Sequence, residues 1–595
     1  MKKNAHPFIV FTFLVLLVAM FAVQPLSTAA RDASNDPPGG MPAVAPAAST
    51  EPADPVLSNP RFYVVPAIAD NQISIPSSGG VNYVSSELNL NGSPGEYRPA
   101  TFIIAADKDF ATVETTASDL SGQSGRIDQS SVDLSIVKSW YQAGVGVFDV
   151  SHKRLTPELL VKDDSLIEVR NGENYLKLAD GSYIWISSPQ PSPSANVRTP
   201  VEKMPVSDAS TLQPFDLQAG VAKQIWITLH IPESAAPGAY RGSIVLSVGG
   251  KELAELSLNL RVWPIHLEQS YLTYSAYYAG ELVPEYPQGT ISDRYKSPAQ
   301  MSAELVDMLA YGVTDPTFGQ RSDGTTTWLT KNLEIRKSQG LGDQPLFCLD
   351  ASISRNLNEV KNMLSLAHDF GISDVYFYGI DEAKGDELLS QRPFWEQIRA
   401  AGGKIFASGY AASRWPPGNY AAVGDLQDLF VAYGSPNSTE AAKWHSIGHQ
   451  IFDYSNPQFG QETPETYRRN YGLLLWQQDY DGEMDFAYQW GAGDIWNDFD
   501  DPKYRDHVMA YPTVNGVIDT IQWEGFREGV NDTRYLTTLL DLIAQAKTLG
   551  LDTAAYDSWL SELKAANLAK LDLDSTRSSM IKFILELQDE MKSAK

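Results

Sequence analysis

Two adjacent carboxylates, Asp381 and Glu382, end the run "DVYFYGIDEAKGDE" where the strand-forming residues Val375 to Ile380 give way to a polar, helical segment. Side chains that neighbour each other in a strand diverge, but past the last paired residue the backbone can turn and aim both at one pocket. Two like charges held together cannot both ionise cheaply, so one of them becomes a proton donor near neutrality. Acid-assisted cleavage of a glycosidic bond needs that division of labour. The commoner fate of an Asp-Glu dipeptide is to cap a helix with one residue and solvate the other. What surrounds the pair decides between the two readings.

From about residue 270 apolar strands alternate with helical segments. Strands are predicted at "YLTYSAYY", "GVTDPTF", "QPLFCLD", "DVYFYGI", "KIFASGY", "LQDLFVAY", "HQIFDYS" and "GEMDFAYQW", with helical spacing of apolar residues between several of them. Eight such units predict a (β/α)8 TIM-like barrel over residues 269–530, whose catalytic groups gather at the C-terminal ends of the strands. The carboxylate pair stands at the end of the fourth. Other strand ends carry aromatic faces that stack on sugar rings and polar groups that bind hydroxyls. These candidate binding residues are Tyr278, Asp350, Tyr378, Tyr410, Tyr433, Tyr454, Asn456 and Trp490, with Asp315, Gln320, Trp415, Asp453 and Gln489 at neighbouring ends. In the closing segment "WEGFREGVNDTRY", Trp523 and Glu524 are counted as further candidates for the pocket. Arg527 and Asp532 read as an ion-paired clamp between the final helix and the barrel.

The rest of the chain frames that barrel. Residues 59–268 show short β-branched and aromatic runs between turn residues, such as "KQIWITLHIP" and "YRGSIVLSVGG", and no short-period repeat, which predicts a β-sandwich. Residues 531–595 read as a C-terminal helical extension packed on the barrel. Lys2 and Lys3 before the apolar run Phe8 to Val23, then Ser27 and Ala29, read as a signal peptide over 1–30, followed by a disordered Pro/Ala-rich linker over 31–58. The expected location is therefore secreted, periplasmic or cell-surface, with no stable membrane partner after signal cleavage.

A net charge of −27 repels phosphate backbones, so no nucleic-acid partner is expected, whereas a neutral glycan is indifferent to it. The single cysteine, Cys348, excludes an intramolecular disulfide and reads as a buried thiol. His445 and His449 have a spacing that could grip zinc but lack a third ligand, and the acidic run 497–501 does not match a calcium loop and reads as solvated. No cofactor or metal is expected. Neither a phosphate-binding glycine loop nor a nucleophile-elbow serine is present.

Three stretches, "YFYGIDEA", "YRRNYGLLLWQQDYDGEMDFAYQW" and "YPTVNGVIDTIQWEGFREGVNDTRYLTTLL", resemble the barrel and closing segment of the glycoside hydrolase family 123 superfamily. "IWITLHIPESAAPGAYRGSIVLS", ending in "LRVWPIHL", is similar to the sandwich that precedes it there. The resemblance implies a retaining exo-β-N-acetylhexosaminidase, like the family's β-N-acetylgalactosaminidases, in which the substrate's own acetamido group is the nucleophile. It places the general acid on Glu382 and the acetamido-holding carboxylate on Asp381, with Tyr433 or Tyr454 aiming the acetamido oxygen. Ala383 departs from the proline that often follows the pair. Two alternatives stay open: a glycosidase for sugars lacking the acetamido group, and a non-catalytic carbohydrate-binding protein on the same fold.

Overall fold

Alternate residues Ile225, Ile227 and Leu229 of the strand Lys223–His230 are fully buried, as their spacing predicts. In this computed structural model, which describes residues 60–71, 83–190 and 198–594, that strand is central in an antiparallel sheet. The sheet runs Arg61–Val65, Tyr97–Ala105, Lys223–His230, Val132–Gln142, Arg154–Val161. A second sheet contains Phe110–Ala117, Gly238–Val248, Lys251–Val262 and, parallel to the last, Glu87–Gly92. Phe102 and Ile227 of the first sheet share one core with Ile244 and Leu258 of the second. This is the expected sandwich. The expected signal peptide and linker lie outside the described residues.

Trp226 departs from the simple alternation. It is buried on the outer face of the first sheet, packed with Val137, Leu160 and Ile521. The sheet is thus covered on both faces, and Leu159 forms a bridge with Thr520 at the start of the long helix Ile521–Thr548. That helix runs straight through the boundary expected at residue 531. Sandwich, parallel sheet and C-terminal helices belong to one compact unit.

The alternating half of the chain forms a curled sheet of seven parallel strands. Its order is Thr273–Ala276, Gly482–Asp485, Gln450–Tyr454, Leu429–Tyr433, Lys404–Gly409, Val375–Tyr378, Leu346–Cys348. The second of the eight expected strands is absent as a strand. Residues 314–318 instead run extended between the two edges: Thr314, Asp315 and Thr317 donate N–H bonds to Tyr274 and Ala276, and Phe318 bridges Cys348. Pro316 supplies the reason, because it has no N–H to give to a ladder. Strand parity then sorts the side chains. Tyr376, Phe406, Val431, Phe452 and Met484 fill the interior, while Val375, Phe377 and Ile405 face the helices.

Local signals place those helices. Pro298–Ala310 starts with a capping box between Ser297 and Gln300 and Pro298 in its first turn. Its Met301, Leu305 and Met308 then fall on the buried face.

Several carboxyl groups are buried inside the protein, and they set a pH dependence. Burial, then the charge of Glu462, raises Glu158 to about 8, although Trp140, Gln142 and Gln522 all donate to it. Burial likewise raises Asp485 to about 7. Such groups ionise in the unfolded chain at lower pH than in the folded one, so their stabilisation is complete below the ordinary carboxylate range and is lost as pH rises through the folded values. His507, lowered to about 3 by burial, acts in the opposite sense, but only below its ordinary value of 6.5. Between pH 6.5 and 8 the unfolding free energy should therefore fall. Denaturant titrations at those two pH values check this, and a rise would contradict it.

Candidate active site

The strand Val375–Tyr378 ends in a tight passage that determines where the two carboxylates go. A Cβ on Gly379 would meet Trp395 at 2.6 Å, and the Ile380 N–H is fixed by Gln391 at 2.6 Å. Ala383 is buried in the outer core beneath the pair. Glu382 itself takes a left-handed backbone conformation, φ +48°, which costs a non-glycine residue of order 1–3 kcal/mol. Such strain persists where the surroundings over-determine it.

Each carboxylate has its own set of hydroxyl donors. Asp381 Oδ1 accepts from Tyr378 at 2.7 Å and from Ser408, and Tyr277 donates in turn to the Tyr378 hydroxyl at 3.0 Å. Glu382 accepts from Tyr410 on one oxygen and from Tyr454 on the other. Burial, and after it the neighbouring carboxylate charge, raises the phenols of Tyr378 and Tyr454 well above their ordinary value. Burial and the bond to Glu382 raise Tyr410 in the same way. All three therefore remain donors across the physiological range. Tyr433 completes the group, its ring 5.4 Å from those of Tyr410 and Tyr454. Trp490 joins it through Phe486, whose ring lies 5.6 Å from Trp490 and 5.9 Å from Tyr277.

Asp381, Glu382, Tyr378, Tyr410, Tyr433, Tyr454 and Trp490 are thus brought together as expected. Five other candidates are not. Tyr278 points away from the interior and donates to buried Glu304 at 2.7 Å. Its neighbour Tyr277 faces the pocket instead. Asp350 caps the short helix Ala351–Ser354 through the Ser352 N–H. Asn456 is occupied by Asp453, Ser435 and Asn470. Trp523 is wholly buried and stacked on Tyr311 at 4.8 Å, and Glu524 is bound to Thr228 and Arg527. The reason is common to both: the long helix is packed on one side by the sandwich and on the other by the parallel-sheet half of the chain.

Three other readings also change. Arg527 pairs with Glu524, not with Asp532, which is held by Arg468 and Arg577. The acidic run at 497–501 is not solvated, since Asp498 is buried and accepts from Arg505 at 3.0 Å and from the Ala143 N–H at 2.7 Å. Gln320 and Gln489 spend their amides on Leu282 and on Lys296 and Ala510. Among the described residues no group of His, Cys, Asp and Glu side chains is arranged to hold a metal ion.

Sequence reasoning missed Ser408, Tyr277 and two cations. Phe406, Ser408 and Tyr410 alternate along one strand and its extension, so parity alone could have found Ser408. Lys384 lies between the rings of Tyr410 and Trp415, at 4.4 and 4.6 Å, and Arg414 lies over Tyr433 at 4.2 Å. No spacing rule points to such loop cations.

No protein-family model matches the chain, and no curated protein matches it. Among solved structures, a family 123 glycoside hydrolase from Clostridium perfringens, the subject of work on glycolipid glycan hydrolysis, aligns with 90% of this chain and 99% of its own. The identity is 11% and the TM-score 0.59. A GH5 xyloglucanase from Bacteroides ovatus aligns with 75% of this chain and 98% of its own, at 8% identity and TM-score 0.23. An alpha-L-arabinofuranosidase from Thermotoga maritima aligns with 44% and 70%, at 10% identity and TM-score 0.28. The last two overlaps are too loose to bear on fold or function. Nearly end to end, this chain has the fold of that family 123 glycoside hydrolase.

Proposed function

We propose that the chain is an exported glycoside hydrolase that removes a terminal 2-acetamido sugar with retention, the substrate's acetamido group serving as nucleophile. The observation that carries this reading is the strand-end pair itself, two adjacent carboxylates on separate hydroxyl donors at one mouth. Glu382 protonates the glycosidic oxygen. Asp381 accepts the acetamido N–H and offsets the positive charge that develops as the acetamido oxygen closes on the anomeric carbon. N-acetylgalactosamine stands ahead of N-acetylglucosamine on the sequence resemblance, and export rests on the N-terminal sequence.

A panel of chromogenic glycosides, run with wild type and Glu382→Gln, tests the reading. Hydrolysis of acetamido glycosides by wild type is the expected result, with the loss in the variant greatest on the substrates whose leaving groups are poorest. Cleavage of plain hexosides alone would favour a glycosidase without acetamido participation, and binding without cleavage would favour a lectin-like role.

Ser408 gives a finer test. A hydrogen bond to a charged group is worth about 1.5–3 kcal/mol, so Ser408→Ala should lower kcat/KM by about 10-fold or more. The loss should fall on kcat, because Asp381 is then poorly aimed. An unchanged rate would remove Ser408 from the mechanism.

A further inference from the structure

The sandwich reaches the barrel mouth through the turn at residues 143–149, and that turn is anchored from below. Buried Arg505 donates to the carbonyls of Gly144 at 2.9 Å and Val145 at 3.2 Å, and its backbone N–H donates to Val147 at 2.9 Å. Glu462 and Asp498 hold the guanidinium in turn, at 2.5 and 3.0 Å. On this fixed turn Phe148 leaves 68% of its surface exposed. Its ring lies 5.7 Å from that of half-buried Tyr504, so the two rings together present an aromatic surface at this turn.

Phe148 lines a cleft of about 530 Å³, opposite Tyr433, Ser455, Gln458 and Gln461. That volume falls within the roughly 300–1,000 Å³ of small-ligand sites. The side-chain amides of Gln458 and Gln461 make no hydrogen bond among the described residues, so both remain available as neutral donors and acceptors. Tyr433 fixes which side of the site this is. Its ring touches Tyr410 and Tyr454, the two donors to Glu382, whereas Asp381 is held by Tyr378 and Ser408. The cleft therefore opens on the side of the general acid, and a leaving group departs on that side.

We propose that this cleft binds the sugar residue on the leaving-group side of the scissile bond, with Phe148 stacked on its apolar face and Gln458 and Gln461 on its hydroxyls. The substrate is then an oligosaccharide or glycan whose penultimate residue is a neutral sugar, and the sandwich supplies part of its recognition. This rests on the reading of Glu382 as the acid.

Two substrates that share a terminal sugar separate the contributions: a nitrophenyl glycoside and an oligosaccharide with an unsubstituted penultimate residue. With Phe148→Ala and with Gln461→Ala, kcat/KM for the oligosaccharide should fall by about 10-fold relative to the nitrophenyl glycoside, chiefly through KM. An equal change on both substrates, or none, overturns the proposal. Calorimetric titration of the same oligosaccharide into Glu382→Gln, with and without Phe148→Ala, reads binding without turnover. A Kd weakened about 10-fold supports the subsite, whereas an unchanged Kd or no binding to the parent overturns it. If wild type cleaves no glycoside, the hydrolase reading fails, and this titration run on wild type still decides the subsite.

Discussion

Glu382→Gln should slow the cleavage of glycosides with poor leaving groups by roughly 100- to 1,000-fold, about 2.7–4 kcal/mol of barrier. The amide is nearly isosteric and can still accept from Tyr410 or Tyr454, the two donors that place the native side chain. What it lacks is the proton for the departing oxygen. An activated aryl leaving group departs without that proton, so much of its first step should survive the substitution. Asp381→Asn tests the other role. Its carboxylate acts on the acetamido group whatever the leaving group is, so good and poor substrates should slow alike, by a similar factor. A series of aryl glycosides of graded leaving-group pKa, assayed with both variants, resolves the two. If both show the same dependence on leaving group, the roles are wrongly assigned.

The candidate site was legible wherever chemistry and strand position coincided. A carboxylate pair at a strand's end and tyrosines at the ends of the next strands needed only the alternation of strands and helices to be placed on one rim. Parity was the signal left unused. Ser275 and Tyr277 share a face, which puts Tyr278 outside, and Pro316 in "GVTDPTF" already argued against a full second strand. The closing helix misled for a different reason. Its buried residues cover nearly the whole circumference over the first turns, so burial of Trp523 and Glu524 says nothing about which neighbour covers them. For Trp523 that neighbour is the parallel-sheet half, through Tyr311 and Phe459, and for Glu524 it is the sandwich, through Thr228, and no local pattern in one segment reveals a docking partner about 300 residues away in the chain. Arg527 and Asp532, by contrast, could have been separated from sequence alone, because only helix residues three or four apart face each other.

Loss of Arg577 should cost the fold heavily. Its guanidinium is buried and bound to Glu528 at 2.6 Å, to Asp532 at 2.6 Å and to the Glu528 carbonyl at 2.8 Å. Glu528 also holds Arg98 of the sandwich, and Asp532 holds Arg468 of the helix Pro464–Asn470. One network thereby ties the C-terminal helix Leu573–Ser593, the long closing helix, the helix Pro464–Asn470 and the sandwich together. Arg577→Met would leave two buried carboxylates short of positive charge, a change that costs about 3–5 kcal/mol. Arg577→Lys should recover part of that, since it restores the charge but not the fork. The pH dependence distinguishes lost charge from lost packing. Burial alone would raise Glu528, but Arg577, Arg98 and Arg468 together pull it well below its ordinary value of 4.5. Its stabilisation is therefore present above that value and lost as pH falls through the folded one. Removing Arg577 weakens that pull, so stability measured by denaturant between pH 3 and 5 should fall less steeply in Arg577→Met than in wild type. Equal slopes with an equal loss at every pH would assign the cost to packing instead of to the ion network.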